Sequence, residues 1–271
     1  MTKEIAADTL TAESIRLYLP PDLPIAALSV LDTVPSTNTA LKAAAAAGAP
    51  AGTVLIAAAQ TNGRGRRGRS FYSPGGTGLY ISVLLRPDFA PEMAIRITTA
   101  AAVAAARAIF DVTGKDALIK WVNDLYLDGK KIAGILTESA LSADGERLEY
   151  AVLGIGVNVT EPDGGFPPEI RQIAGALLDE PIPDGRAKIA ASFLSHFFRL
   201  YETIGTDTAY MDEYRRRCFV IGSPITVHRG GAQYPAEAIG VNDDGTLAVR
   251  LPDGTTDTLS SGEISVRVRG D

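Results

Sequence analysis

The sequence predicts an α+β protein in two parts, a large domain over residues 1–217 and a small β-barrel over residues 218–271. The first part alternates apolar, strand-like runs with alanine-rich or amphipathic segments, a pattern typical of helices packed on a sheet. From Cys218 onward the sequence changes to short alternating runs separated by Asn-Asp-Asp-Gly and Pro-Asp-Gly turns, which favour a barrel or sandwich. A chain of 271 residues with 46% hydrophobic content can bury a core of this size.

The first predicted elements flank a long loop. Alanines after Ser36, Thr37 and Asn38 predict a helix over residues 38–47, with one of these three as its N-cap. Apolar runs predict strands over residues 53–59 and 79–85. Between them, residues 62–78 contain six glycines and four arginines. Loops of this length in compact domains are usually functional or disordered.

The rest of the large domain is predicted to add a hairpin and three helices. An alanine-rich run predicts a helix over residues 95–110. A strand over 118–122, a turn at Asn123-Asp124 and a turn at Asp128-Gly129 lead into a strand over 131–138. The remaining predicted elements are a strand over 150–159, helices over 186–204 and 207–217, and barrel strands over 224–228, 236–241, 246–251, 256–259 and 264–268.

Composition excludes several classes of protein. The single cysteine, Cys218, excludes an internal disulfide and a Cys-based zinc site. The longest uninterrupted apolar stretches, such as residues 100–106, are far shorter than the ~20 residues of a membrane span, and the N-terminus lacks the apolar core of a secretory signal. We therefore expect a cytoplasmic protein with no membrane partner. A net charge of −6 disfavours nucleic acid as a general partner, so any anion site must be local.

Positive charge is concentrated in one loop, where four of the six residues 64–69 are arginine. The run Gly63-Arg-Gly-Arg-Arg-Gly matches G-x-G-x-x-G, but no helix opens at the glycines, so a dinucleotide site is not predicted. Glycines leave amide N–H groups accessible, and guanidinium groups bind phosphate or carboxylate oxygens in pairs. The loop therefore favours an anionic ligand. A solvated basic loop and an RGG-type nucleic-acid site are the alternatives from the residues alone.

Three further segments accompany this loop: Ser36-Thr-Asn-Thr, the run from Lys120-Trp-Val-Asn-Asp to Ile-Ala-Gly-Ile-Leu136, and Gly154-Ile-Gly-Val-Asn-Val. With Gly63-Arg-Gly-Arg-Arg-Gly-Arg, and in this order, they resemble the biotin protein ligase family. The resemblance runs from about residue 30 to the end and includes Ser261-Gly-Glu-Ile-Ser-Val-Arg. Each motif alone is weak, but four in register are highly specific.

The resemblance implies a catalytic domain on a mixed sheet, similar to class II aminoacyl-tRNA synthetases and lipoate ligases, followed by an SH3-like barrel. It implies that biotin and ATP, with Mg²⁺, form biotinyl-AMP, and that biotin then passes to a lysine of a biotin carboxyl carrier protein. No tightly bound prosthetic group is expected. A monomer or a homodimer is compatible with the resemblance. About 25 residues precede the first strand, too few for a helix-turn-helix module, so we expect no specific DNA binding.

By position in the matching motifs, polar side chains and close-approach glycines are expected to bind biotin. These residues are Ser36, Thr37, Asn38, Gln60, Gly63, Arg64, Gly65, Arg66, Lys120, Gly134, Gly154 and Gly156. A ureido group needs both donors and acceptors, which these side chains supply. For the Ser-Thr-Asn run, a plain helix cap is the structural alternative.

The nucleotide and the reacting groups are expected to meet cations. The resemblance assigns Lys120, Arg66 and Arg64 to catalysis, and Arg66, Arg69, Phe71, Asn123, Lys131 and Asn158 to the nucleotide. Fixed positive charge offsets the repulsion between a carboxylate and a polyphosphate. Asp124 is the candidate magnesium ligand, since magnesium in such sites is bound mainly through phosphates.

Two residues depart from the family pattern. Phe71 stands where the family usually has tryptophan, and Val122 where it has proline. Neither of the two histidines, His196 and His228, is expected to be catalytic. A lipoate-protein ligase, a nucleic-acid-binding protein using the arginine loop, and a non-catalytic biotin sensor are the competing hypotheses.

Overall fold

The computed structural model describes residues 8–229, 231–260 and 263–266. Its helices are α1 (Ala12–Arg16), α2 (Thr37–Ala46), α3 (Ala94–Thr113), α4 (Gly185–Tyr201) and α5 (Tyr210–Arg217). Its strands are β1 (Ala27–Val34), β2 (Thr53–Gln60), β3 (Gly78–Leu85), β4 (Leu118–Lys120), β5 (Asp124–Leu127), β6 (Lys130–Leu141), β7 (Leu148–Asn158), β8 (Pro224–Arg229), β9 (Ala232–Val241), β10 (Leu247–Arg250), β11 (Thr256–Leu259) and β12 (Glu263–Val266).

The first seven strands form one mixed sheet in the order β1-β2-β3-β7-β6-β5-β4. β1 and β2 run parallel, and the other neighbouring pairs are antiparallel. The predicted α+β class with a mixed sheet is confirmed. Every residue of the central strand β3 is buried, because helices cover both faces of the sheet at this point.

Alternation along β3 separates the two faces. Leu84 packs beneath α2 with Leu41 and Ala45. Its neighbours Val83 and Leu85 face the opposite side, in the core that contains α3 and α4. Residues two apart share a face, so Ser82 lies on the α2 side with Leu84. This places the N-terminus of α2 over the centre of the sheet, where the candidate site lies.

β8 to β12 form a second, antiparallel sheet in the order β11-β10-β9-β8-β12. It packs against the first sheet through a shared apolar core. Trp121 Nε1 donates to the Gly245 carbonyl at 2.9 Å, and Phe219 N donates to the Ile119 carbonyl at 3.2 Å. Ser261 and Gly262 of the C-terminal motif, and the predicted strand end at residues 267–268, lie outside the described residues.

Several elements differ from the sequence prediction. The bounds of β1 and the existence of α1 were not predicted, because β1 is an edge strand with a largely exposed pattern and α1 has only five residues. The segment before β1 contributes to the packing of the large domain, because Ile15 is fully buried and Asp8 pairs with Arg186 at 2.6 Å.

The segment Pro91–Thr113, which comprises α3 and the turn before it, is long and apolar enough to cross a membrane by length and composition alone. In this fold, 67% of its most apolar 18 residues are buried inside the protein. The same composition is typical of a core helix.

Candidate active site

A polar pocket lies at the N-terminus of α2. It measures about 310 Å³ including the space at its mouth. Its lining residues are Ser36, Thr37, Asn38, Gln60, Arg64, Phe71, Gly134, Leu136, Gly154, Ile155 and Gly156. The structure therefore brings together eight of the twelve residues expected to bind biotin. Ser36 also caps α2, accepting a hydrogen bond from Thr39 N at 3.4 Å, so a helix cap and a pocket wall coexist in one segment.

Hydrogen bonds fix the orientation of the polar side chains in this pocket. Asn38 Nδ2 donates to the Leu136 carbonyl at 3.2 Å and to Glu138 Oε2 at 3.1 Å. Because both partners only accept, the amide nitrogen must face them, and Asn38 Oδ1 then faces the Ser82 hydroxyl at 2.6 Å. The fully buried Ser82 Oγ also lies 2.7 Å from Thr37 Oγ1. The amide of Asn38 is therefore held in one orientation.

The side chain of Gln60, at the end of β2, is held by hydrogen bonds to Thr37 and Ser73. Its Oε1 accepts from the backbone N–H of Thr37 at 2.9 Å, and its Nε2 donates to Ser73 Oγ at 3.0 Å. Its donor and its acceptor are thus both fixed in position at the pocket wall.

Glycines let the pocket walls approach closely. A Cβ on Gly154 would lie 2.1 Å from Asn38 Oδ1, and a Cβ on Gly156 would lie 2.6 Å from the Phe71 ring. A Cβ on Gly134 would lie 3.3 Å from the same ring. The Phe71 ring also packs edge-on against Tyr80, with centroids 6.4 Å apart. Phe71 thus forms an apolar wall whose position requires small residues on β6 and β7.

A larger cavity, about 1130 Å³ with its open mouth, adjoins the polar pocket. Its lining includes six cationic side chains, which are Arg64, Arg66, Arg67, Arg69, Lys120 and Lys131. Asp124 is the one acidic side chain among the described lining residues. Arg64, Phe71, Gly134 and Leu136 line both cavities and so form their boundary. We call the larger space the basic cavity.

The arginine-rich loop is anchored over the basic cavity. Gly65 N donates to the Arg69 carbonyl at 2.7 Å, and Arg67 adopts a left-handed conformation with φ of 56°. Arg66 Nη1 donates to Asn123 Oδ1 at 2.9 Å, and Arg67 Nη1 to the His228 carbonyl at 3.4 Å. The loop therefore touches both the hairpin and the second sheet.

The floor of the basic cavity comes from the β4–β5–β6 hairpin. Lys131 Nζ lies 2.7 Å from Asp124 Oδ1, which also accepts from Asn123 Nδ2 at 2.9 Å. Lys120 Nζ lies 5.9 Å from the centroid of the Tyr126 ring. Burial, and to a smaller extent the charge of Asp124, raises the pKa of Tyr126 to about 12. Tyr126 therefore stays neutral near neutral pH.

Three residues that hold side chains of the polar pocket in place were not predicted from the sequence. Ser82 and Ser73 belong to the hydrogen-bond network, and Glu138 holds three side chains near the pocket. Burial alone would raise the pKa of Glu138, but hydrogen bonds from Lys42 and Asn38 and the charges of Lys42 and Arg64 lower it overall. A carboxylate on the apolar-rich strand after Ile-Ala-Gly-Ile-Leu136 was the available signal for Glu138.

Two residues expected to contact ligands lie outside the linings of both cavities. Asn158 lines neither cavity, and its Nδ2 donates to the Gly175 carbonyl at 3.0 Å, so it fastens a loop. Gly63 also lines neither cavity. Its carbonyl accepts from Phe71 N at 2.9 Å, and a Cβ there would lie 2.3 Å from the Phe71 carbonyl oxygen. Gly63 therefore allows the close approach of the two segments of the loop at Gly63 and Phe71.

The histidines lie apart from the two cavities. His196 Nε2 is 2.7 Å from Asp111 Oδ2 between α4 and α3, and it lines a separate groove. The side chain of His228 lines none of these spaces. Within the residues that the structure describes, no group of three or more His, Cys, Asp or Glu side chains could hold a metal ion.

Comparison with known proteins identifies two family matches. Residues 30–158 match the Biotin/lipoate A/B protein ligase family, and residues 220–267 match the Biotin protein ligase C terminal domain. A biotin–[acetyl-CoA-carboxylase] ligase of Mycobacterium tuberculosis is 33% identical over 249 residues, covering 88% of each chain. The bifunctional ligase/repressor BirA of Bacillus spizizenii is 30% identical over 253 residues, covering 90% of this chain and 76% of the relative.

Solved structures give the same result. The biotin protein ligase from Aquifex aeolicus, in complex with biotin and ATP, superposes with a TM-score of 0.72 at 25% identity, covering 90% of this chain and 99% of that one. The Leishmania major enzyme in complex with biotinyl-5-AMP has a TM-score of 0.59 at 25% identity, with coverage of 89% and 100%. The chain therefore belongs to the biotin protein ligase family and has that family's biotin protein ligase activity.

Proposed function

We propose that this chain joins biotin to ATP in the two adjoining cavities and then passes the biotin to a carrier lysine. The observation that carries the proposal is the shared boundary: a polar pocket shares four lining residues, Arg64 among them, with a cavity lined by six cations. The polar pocket matches a neutral ring system, and the basic cavity matches a carboxylate tail next to a polyphosphate.

The polar pocket suits the ureido end of biotin. Gln60 Nε2 has a second N–H to donate, and Thr37 Oγ1 and Asn38 Oδ1 are acceptors, all held in fixed orientations by the network around Ser82 and Ser73. A site built to hydrogen-bond a polar ring discriminates strongly against an analogue that cannot reciprocate. The dithiolane ring of lipoate is such an analogue, which favours biotin over lipoate. Phe71 offers an apolar face for the rest of the ring system.

The basic cavity suits the adenylation step. A biotin carboxylate oxygen attacks the α-phosphorus of ATP, the new P–O bond forms, and the bond to pyrophosphate breaks. Lys120 and Arg66 offset the repulsion between carboxylate and phosphate, and Arg69 and Lys131 add positive charge for the departing pyrophosphate. Positive charge already in place costs no reorganisation during reaction, which is why no acid–base histidine is required.

Asp124 is the residue that fits a magnesium ion. Magnesium commonly uses one or two carboxylates together with substrate phosphates, and Asp124 is the carboxylate facing the basic cavity among the described residues. Bound there with ATP, the ion would neutralise phosphate charge. Asp124 Oδ1 also lies 2.7 Å from Lys131 Nζ and orients this lysine. The Asp124 carboxylate would therefore bind the magnesium ion and position Lys131.

In the second step, a carrier lysine amine attacks the acyl carbon of biotinyl-AMP. An amide bond forms, AMP leaves, and the amine loses a proton. The arginine-rich loop, tied to Asn123 and to the His228 carbonyl, is placed to shield the adenylate from water until the carrier arrives. The carrier implied by the relatives' names belongs to acetyl-CoA carboxylase.

Biotin-dependent release of pyrophosphate from Mg-ATP, without carrier, tests the proposal. We expect release with biotin and trapping of biotinyl-AMP on the enzyme, and at least ~100-fold less with lipoate. Release that is equal with lipoate, or absent with both acids, would refute it. Binding to nucleic acid that weakens steeply with salt would favour the competing use of the arginine loop.

A further inference from the structure

Glu138 lies on β6, and three side chains from two other parts of the chain converge on its carboxylate. Oε1 accepts from Lys42 Nζ at 2.6 Å and from Arg64 Nη2 at 3.0 Å. Oε2 accepts from Asn38 Nδ2 at 3.1 Å. The Glu138 side chain is only 18% exposed, and it lines neither cavity. Glu138 therefore touches lining residues from behind.

One of these partners, Arg64, occupies the boundary between the polar pocket and the basic cavity. Its side chain is 44% exposed and belongs to a glycine-rich loop. Fixing a long, exposed side chain for each binding event costs conformational entropy. The Glu138 carboxylate, on a strand of the central sheet, already holds the Arg64 guanidinium in place. Less conformational entropy is therefore lost when the ligand binds.

The contact with Glu138 leaves most of Arg64 available to a ligand. In the contacts described for this chain, the Arg64 side chain bonds Glu138 through Nη2 alone. A guanidinium carries five N–H groups in a rigid fork. The remaining N–H groups can bind a carboxylate while Nη2 stays with Glu138.

Lys42 completes the charge balance. Two cations, Lys42 and Arg64, meet one carboxylate at Glu138, which leaves one more positive than negative charge in the cluster. An approaching anion therefore still meets net positive charge. Lys42 also keeps Glu138 paired if Arg64 shifts toward the ligand, so no buried charge is left without a partner.

We propose that Glu138 is a positioning residue for biotin: it holds Arg64 at the boundary for the biotin carboxylate and fixes the Asn38 amide in the polar pocket. The inference rests on the proposed function, which it deepens. In the proposed function a neutral ring occupies the polar pocket and polyphosphate the basic cavity, so the ligand group that meets Arg64 at the boundary is the biotin carboxylate.

The test is a double-mutant cycle of E138Q and R64Q, read as the KM for biotin, the KM for ATP and kcat in the pyrophosphate assay. Glutamine keeps a carbonyl oxygen for Asn38 but removes the charge that holds Arg64. We expect E138Q to raise the KM for biotin roughly tenfold and to leave the KM for ATP within about twofold. In the R64Q background, E138Q should change the KM for biotin by less than about twofold.

E237Q is the matched control. Glu237 Oε2 accepts from Arg250 Nη1 at 3.0 Å, the same kind of pair at the same distance, but on the second sheet and away from both cavities. E237Q should keep wild-type values for both KM and kcat. If E138Q does not fold, E138D in the same cycle replaces it, since it keeps the charge and withdraws it by one methylene from Arg64.

Three results would count against the inference. A wild-type KM for biotin in E138Q, or an increase that persists fully in the R64Q background, would overturn the positioning role alone. Equal increases for biotin and ATP would indicate general damage to the site and would also overturn it. No biotin-dependent pyrophosphate from wild type or E237Q would overturn the proposed function and this inference with it.

Discussion

Replacing Ser82 with alanine removes one buried hydroxyl beneath the polar pocket. Ser82 is fully buried, and its Oγ lies 2.6 Å from Asn38 Oδ1 and 2.7 Å from Thr37 Oγ1. In S82A the Asn38 oxygen loses its donor, and Asn38 itself is buried. An unsatisfied buried acceptor costs about 1–3 kcal/mol. The Asn38 amide then gains freedom to rotate away from its contacts with Leu136 and Glu138.

We expect S82A to raise the KM for biotin by about 5- to 100-fold and to leave the KM for ATP unchanged, because the lost contact supports only the polar pocket. The thermal midpoint should fall by a few degrees. The assay is biotin-dependent pyrophosphate release with each substrate varied in turn. S192A is the control, because Ser192 Oγ also donates to a side-chain oxygen, that of Asp111 at 3.0 Å, in a groove apart from both cavities.

A wild-type KM for biotin in S82A, or an equal increase of this KM in S192A, would refute the role of Ser82 in holding Asn38. A parallel increase in the KM for ATP would also contradict it, because Ser82 does not line the basic cavity.

Three further predictions concern charge, space and pH. K120A should lower the rate of adenylate formation by about 10²–10³-fold with an unchanged thermal midpoint, as measured by pyrophosphate release and calorimetry; near-wild-type turnover would remove Lys120 from catalysis. G156A should raise the KM for biotin at least about tenfold, because its Cβ would lie 2.6 Å from the Phe71 ring. In the control G240A, a Cβ would have no heavy atom within 4 Å, so the KM for biotin should stay at the wild-type value. The pKa of Glu138 is lowered in the fold, so its contribution to the free energy of unfolding is present above its ordinary value of 4.5 and is lost as the pH falls through the lower folded value. Urea unfolding at about pH 6 and about pH 3.5 should therefore show a smaller loss for E138Q than for wild type, and equal losses would contradict this.

Much of the fold was predictable because its signals are local. The apolar run of β3 and the alanines of α3 are long and strongly patterned, and the structure has both elements. The edge strand β1 was not predicted in detail, because exposed positions break its apolar pattern. The helix predicted over 186–204 ends at Tyr201, and the next begins at Tyr210 rather than 207, since turns around Thr203 and Thr206 interrupt the chain.

The site was predictable where motifs lie close in sequence and not where it depends on folding. Glycine and arginine positions of the loop follow from the motif alone. Ser82 and Glu138 become part of the site only because β3 and β6 carry them beneath α2, 44 and 100 residues from Asn38 in the chain. The motif alone also did not show that Asn158 would lie outside the linings of both cavities, with its Nδ2 donating to the Gly175 carbonyl.

Intact-mass spectrometry of a biotin carboxyl-carrier domain most directly tests the claim that the two cavities together activate and transfer biotin. The domain is incubated with the protein, biotin and Mg-ATP, with lipoate in place of biotin and omission of ATP as controls. We predict a mass increase of one biotin that requires ATP and does not occur with lipoate. A carrier that stays unmodified while the protein also releases no pyrophosphate, or one that gains lipoate as readily as biotin, would contradict the claim.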